Sequence, residues 1–232
     1  MVKYTLVIAS LISFFTALYF TPWVIRYMRR IGIVVKDQHK KNTTLVPISG
    51  GFAVLTGVLA GLMFVVFILT FYFKTTPRLI HLLAAGVSIL IITFVGFIDD
   101  LLIKKSKLSS SGLRQWQKPL LTLAAAVPLM VVNAGTTHLW IPFFGRVDFG
   151  IIYPLFFIPL IVVGAANMVN MLAGFNGLEA GMGMVYTGML GLYSYFNRGG
   201  LYYNERTAAA VFALIVFSAL VAFYFFNKTP AK

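Results

Sequence analysis

Apolar runs long enough to cross a bilayer are what most limits the fold of this chain. About 17–25 consecutive apolar residues suffice for one helical span. Roughly seven such runs are legible, near 4–25, 50–73, 80–98, 119–134, 150–167, 181–196 and 207–226. Backbone polar groups find no water in hydrocarbon, so the spanning segments must satisfy their own hydrogen bonds as helices. The expectation is an all-α, polytopic membrane helix bundle of about seven transmembrane helices, forming a single transmembrane domain over residues 1–232. Composition agrees: 59% of residues are hydrophobic and 11% charged, against about 45–50% and about 25% in soluble domains. The first run is too long for a signal-peptide core and leads into Arg26, Arg29 and Arg30, so it reads as a retained span. The fifth is the least regular, with Pro154 and Pro159 inside it and Pro142 just before it. There is no cysteine, which excludes disulfides and thiolate chemistry.

The net charge of +13 does not call for nucleic acid, because basic residues collect in the cytoplasmic loops of membrane proteins. Of the 19 Lys and Arg, 13 fall on one side of the alternating spans and 6 on the other. The rich side includes Arg26, Arg29, Arg30, Lys36, Lys40 and Lys41 after the first span and Lys104, Lys105, Lys107, Arg114 and Lys118 after the third. That side is expected to be cytoplasmic, with the N-terminus outside.

Three polar segments that did not enter this orientation fall on the same side. The first is "FVGFIDDLLIKK", residues 94–105. The whole chain has only 6 Asp and Glu, yet Asp99 and Asp100 stand side by side after an unbroken apolar run, where an ionisable group is by default a functional hypothesis. Neighbouring helical residues point about 100° apart, so the two carboxylates can meet one cavity in different ways. Two close carboxylates need a cation, from Lys104, Lys105 or a divalent metal. The bland alternative is a solvated helix end.

The second is "NMVNMLAGFNGLEAG", residues 167–181. Asn167 and Asn170 at i,i+3 share a helix face. Gly174 and Gly177 break the helix around Asn176, and a new helix opens near Glu179 with N–H groups suited to an anion. The bland alternative is an Asn-capped turn. The third is "KDQHKKNTTLVPISGG", residues 36–51, where basic residues precede Pro47 and the Gly50–Gly51 pair. Cations attract phosphates, and glycines permit close backbone approach. His39 reads as a loop residue, and Asp37 is a fourth carboxylate-bearing position on this face beside Asp99, Asp100 and Glu179.

Taken in order, these segments resemble the polyprenyl-phosphate N-acetylhexosamine-1-phosphate transferase family. "GFIDD" with "GLRQWQK" is similar to its aspartate-pair motif and basic loop, "NMVNMLAGFNGLEAG" to its Asn-rich motif, and "VPISGG" to its Pro-x-x-Gly-Gly signature. "NMLAGFNGLEAG" is most similar to the branch using dolichyl phosphate and UDP-N-acetylglucosamine. The resemblance implies transfer of N-acetylhexosamine-1-phosphate from a UDP-sugar to a polyprenyl or dolichyl phosphate at a cytoplasmic face of the cell membrane, with release of UMP. It implies Mg²⁺ with Asn170 as metal ligand, Lys118 holding the lipid phosphate, and Asn176 at the nucleotide. Asp99 and Asp100 would work with cations around the phosphates. Asn167, Gly177, Glu179, Gly50 and Gly51 would complete the substrate site. A homodimer is compatible with this reading.

The family continues past the position of "FFNKTP" with a Phe-x-Gly-Asp motif, further spans and a basic loop. By that resemblance the chain is the N-terminal part of a longer transferase, with little turnover by itself. The alternatives are the related phospho-N-acetylmuramoyl-pentapeptide transfer, an inactive membrane partner, and a transporter. The last fits poorly, since the carboxylates lie at span ends and no inverted repeat is visible.

Overall fold

In the computed structural model, residues 2–36, 45–74, 77–105, 112–172, 175–197 and 203–228 are described. Seven α-helices account for most of them. They are α1 (Val2–Ile31), α2 (Gly51–Phe67), α3 (Pro77–Lys105), α4 (Gln117–Val131), α5 (Ile158–Leu172), α6 (Leu178–Phe196) and α7 (Tyr203–Asn227). The all-α membrane bundle is what the apolar runs require. Spans built on α1, α2, α3, α5 and α7 are each long and apolar enough to cross a bilayer. Helix α4 is apolar but has 15 residues, and α6 is rich in glycine.

Two places depart from plain α-helix inside the apolar runs. Helix α2 continues as a π-helical segment, Ile68–Phe73, and α5 is preceded by another, Tyr153–Phe157. The second holds Pro154, whose missing N–H and ring disturb regular hydrogen bonding. Two short antiparallel ladders were not expected from an all-helical reading. Strands β1 (Val34–Lys36) and β2 (Leu45–Pro47) pair in the loop between α1 and α2, and β3 (His138–Ile141) and β4 (Gly145–Asp148) form a hairpin between α4 and α5.

Helix α7 is the hub, packing against α1, α2, α3 and α6, while α3, α4 and α5 follow one another along one flank. Small residues allow the closest approach. On α2, a Cβ at Gly57 would come within 2.7 Å of the Ser13 carbonyl oxygen, and one at Gly61 within 2.8 Å of that of Ala9. This is small-residue packing of the kind that drives helix association in lipid, where burial of apolar surface is no help. Ser13 also donates its hydroxyl to the Ile215 carbonyl of α7 at 2.9 Å. Glycines of α6 seat large α7 side chains in the same way: Gly183 meets Leu220, Gly188 meets Phe217 and Gly191 meets Leu214.

A second apolar cluster ties together the ends that carry the site. Val24 and Met28 of α1, Ile33, and Ala53 of α2 are buried there, with Phe97 of α3 and Phe223 of α7 packed on them. This cluster places the start of α2 beside the polar end of α3.

Candidate active site

Helix α3 does not stop at the aspartate pair but runs on to Lys105. Asp99 and Asp100 therefore sit on a continuous helix rather than at its terminus. The helix aims them at different neighbours. Asp99 turns towards α4, where its Oδ2 accepts from Lys118 Nζ at 2.8 Å and its Oδ1 from the Leu113 backbone N–H at 2.6 Å. The pair is partly shielded, with side chains 28% (Lys118) and 14% (Asp99) exposed. Gly112 makes that approach possible, because a Cβ there would lie 2.2 Å from Asp99 Oδ1. A cation beside the pair is thus Lys118, thirteen residues beyond Lys105; the side chains of Lys104 and Lys105 lie outside the described residues.

Asp100 turns towards the entry of α2. Its Oδ2 accepts from the Ser49 hydroxyl at 2.6 Å. Ser49 has φ 66°, a left-handed conformation that side chains disfavour. Glu179, at the start of α6, lies within electrostatic reach of Asp100.

The polar contacts continue across α4 to α5. Thr122, one turn after Lys118, donates to the Lys118 carbonyl at 2.9 Å, and Asn167 Nδ2 donates to the Thr122 oxygen at 3.1 Å. The same nitrogen reaches the Val163 carbonyl at 2.8 Å. The Asn167 amide nitrogen is thereby engaged inside the protein. Asn170, at i+3, is exposed.

At the next junction Gly177 has φ 82° and leads into α6. Its N–H donates to Asn227 Oδ1 at the end of α7, at 3.1 Å, and the Leu178 N–H donates to the Phe175 carbonyl at 3.1 Å. Two of the N–H groups that the sequence offered to an anion are therefore occupied within the chain. Beside them Phe175, Asn176, Met182, Tyr186 and Tyr224 line an open groove of about 620 Å³.

Gly50 is needed for packing, since a Cβ would fall 2.5 Å from the Phe223 ring, whereas Gly51 approaches only Thr93, at 3.9 Å. Gly174, Asp37 and His39 lie outside the described residues. Among the described residues no three His, Cys, Asp or Glu side chains form a metal cage. The polar groups available are oxygen donors, the carboxylates of Asp100 and Glu179 and the Asn170 amide. Oxygen donors of this kind suit a hard divalent cation.

Sequence reasoning passed over Ser49, Thr122 and Asn227. Ser49 stands inside "VPISGG" and Asn227 inside "FFNKTP", both already singled out, while Thr122 was visible only as a hydroxyl in an apolar run.

The family model described as glycosyl transferase family 4 matches residues 82–232, from within α3 through α7. The chain belongs to glycosyl transferase family 4. Among its relatives, a Saccharolobus solfataricus protein provisionally named UDP-N-acetylglucosamine–dolichyl-phosphate N-acetylglucosaminephosphotransferase is 35% identical over 96% of this chain and 63% of its own length. A Sulfolobus acidocaldarius protein with the same provisional name is 32% identical over 98% of this chain and 64% of its own. The phospho-N-acetylmuramoyl-pentapeptide-transferase of Halalkalibacterium halodurans is 31% identical over 100% and 70%. The chain spans just under two thirds of the length of the first two relatives.

Proposed function

We propose that this family 4 chain forms part of a transferase site that moves N-acetylglucosamine-1-phosphate from UDP-N-acetylglucosamine to a dolichyl or polyprenyl phosphate. One observation carries the reading: the Asp99–Lys118 ion pair and the Asp100–Ser49 contact lie side by side where α2, α3 and α4 meet. The names of the two archaeal relatives support the choice of sugar and lipid.

In the reaction an oxygen of the lipid phosphate attacks the β-phosphorus of the UDP-sugar, and the bond to the UMP oxygen breaks. Such chemistry depends mainly on positioning and on neutralising charge. Lys118 provides a point charge for the lipid phosphate, and Asp99 holds the ammonium in place from the other side. A lipid phosphate has a second pKa of about 6 and is largely dianionic at neutral pH, so no base need remove its proton. Asp100, steadied by the Ser49 hydroxyl, keeps acceptor capacity on a carboxylate with about four lone-pair sites. Asp100 and Asn170 are the residues that would hold Mg²⁺. When bound, the ion would offset charge on the pyrophosphate oxygens. Asn176 and the groove beside it would take the nucleotide.

The test is release of UMP by the full product of the gene that encodes this chain, in detergent with UDP-N-acetylglucosamine and a polyprenyl phosphate. Release should require both substrates and a divalent metal, and Asp100→Asn should abolish it. A protein that releases no UMP and is not stabilised by UDP-N-acetylglucosamine with Mg²⁺ would refute the assignment. UDP-N-acetylmuramoyl-pentapeptide as the competing donor decides between the two kinds of relative.

The site is proposed to face the cytoplasm. Cysteine introduced at Gln115 and at Thr136, in a chain with no native thiol, should label from opposite sides of the membrane.

A further inference from the structure

The β3–β4 hairpin sits at the ends of α4 and α5 remote from the proposed site. Its base is tied down: the Phe149 N–H donates to the Thr137 carbonyl at 3.0 Å, and the Tyr153 hydroxyl to the Ala134 carbonyl at 3.2 Å. Its tip is a tight turn over Ile141–Phe144, closed by the Phe144 N–H on the Ile141 carbonyl at 3.2 Å. Pro142 occupies the second position. Phe143 occupies the third, with φ 73°.

Proline followed by a positive φ is the type II arrangement, whose third position favours glycine because side chains crowd a left-handed backbone. This chain instead puts a bulky phenylalanine there. The ring is fully exposed, and so is most of Phe144. Among the described residues nothing packs on the ring to repay the strained backbone, which points to a partner outside the fold.

The rest of the hairpin shows which partner fits. In the ladder Trp140 is registered with Arg146, and both are exposed. Trp beside Arg, one apolar body with a polar edge and one long cationic chain, is the combination that favours the boundary between acyl chains and headgroups. The chain then passes through exposed Ile151 and Ile152 into the exposed Leu155 and Phe156. Those last two lie in the apolar span that begins at Tyr153. The apolar surface of the hairpin is thus continuous along the chain with a surface already in lipid.

We propose that the β3–β4 hairpin lies in the membrane interface and inserts Phe143 and Phe144 into the leaflet opposite the site, with Trp140 at headgroup level. It anchors the α4–α5 connection and fixes the level of α4 and α5 in the bilayer. The proposal does not depend on which sugar or lipid the protein uses.

Tryptophan quenching tests it without any activity assay. The chain has 3 Trp, so Trp23→Phe with Trp116→Phe leaves Trp140 as the sole reporter. The protein is reconstituted in phosphatidylcholine vesicles containing lipid brominated in the upper acyl chain. Trp140 emission should be quenched by the brominated lipid and protected from iodide in the water. Phe143→Gly with Phe144→Ser should shift the emission to the red, open Trp140 to iodide and lose the bromine quenching. That variant gives the turn the residue its backbone prefers, so a misfolded hairpin is not the explanation for such a change. Quenching by iodide in the parent protein would place the hairpin in water and overturn the proposal. Shielding from both quenchers would mean that protein covers the hairpin, and would overturn it too. Bromine quenching that survives loss of both phenylalanines would show that they are not the anchor.

Discussion

The Ser49 hydroxyl meets Asp100 Oδ2 at 2.6 Å from a backbone held at φ 66°. The strained conformation and the contact occur at one residue. A left-handed backbone costs a side-chain-bearing residue about 1–2 kcal/mol, and a hydrogen bond to a charged group returns about 1.5–3 kcal/mol. The two substitutions that remove the hydroxyl therefore differ. Ser49→Ala keeps the strain and loses the bond. Ser49→Gly loses the bond and relieves the strain, so it should unfold later in detergent than Ser49→Ala, by roughly 1 kcal/mol. Both should lower UMP release by the full gene product. An Ala variant as stable and as active as the parent would show that the contact does nothing.

Lys118 and Asp99 form the complementary case. Removing one partner leaves a partly buried polar group unpaired, at about 1–3 kcal/mol. Lys118→Met and Asp99→Asn should each destabilise the protein. The double variant should cost less than the two together, by about 0.5–3 kcal/mol, as expected of groups in direct contact. In turnover, both single variants should raise the concentration of polyprenyl phosphate needed for half-maximal rate, while Asp100→Asn should act on the maximal rate. Additive stability losses would mean that the ion pair contributes nothing.

The helices were legible because lipid imposes one simple demand, a continuous apolar run, and all seven runs reappear as helices within a few residues. Helix α3 outran its apolar segment, since Leu101–Lys105 offers good helix formers and no breaker, and charge alone does not end a helix. The β3–β4 hairpin was not legible. Its strands have only 4 residues each, and an apolar neighbourhood on both sides hides the alternation that marks a strand. The three polar segments of the site could be assigned to one face from charge alone. Their partners could not, because Ser49, Thr122 and Asn227 are single uncharged residues whose role depends on which helix lies opposite.

Gly177 and Asn227 provide a test of such a partner. The glycine backbone is left-handed and its N–H is held by the Asn227 side chain across to α7. Asn227→Ala should leave that N–H unpaired and loosen the α5–α6 junction. The expected loss is about 1–3 kcal/mol, with faster proteolysis near Phe175. Asn227→Asp keeps an acceptor for the Gly177 N–H and should retain most of the stability. Equal losses in the two variants would assign Asn227 a packing role instead.

Strong acid should weaken the β3–β4 hairpin. The Asp148 side chain is 53% exposed, and its carboxyl is held below the usual carboxylate range, first by the Gly150 N–H at 3.0 Å and then by the Thr137 hydroxyl. A carboxyl whose folded pKa is depressed stabilises the fold at any pH above its unfolded value of about 3.9, and that contribution is lost as pH falls through the lower folded value. The contribution of Asp148 should therefore be constant between neutrality and about pH 5. Below the unfolded value it should weaken, as protonation removes the acceptor for Gly150 and the negative partner of His138, whose Nδ1 lies 3.4 Å from Asp148 Oδ1. Emission of the Trp140-only protein, followed downward in pH, should change in that acidic range. Asp148→Asn should show no such transition, because its side chain no longer titrates. An unaltered acid transition in Asp148→Asn would place its origin elsewhere in the protein.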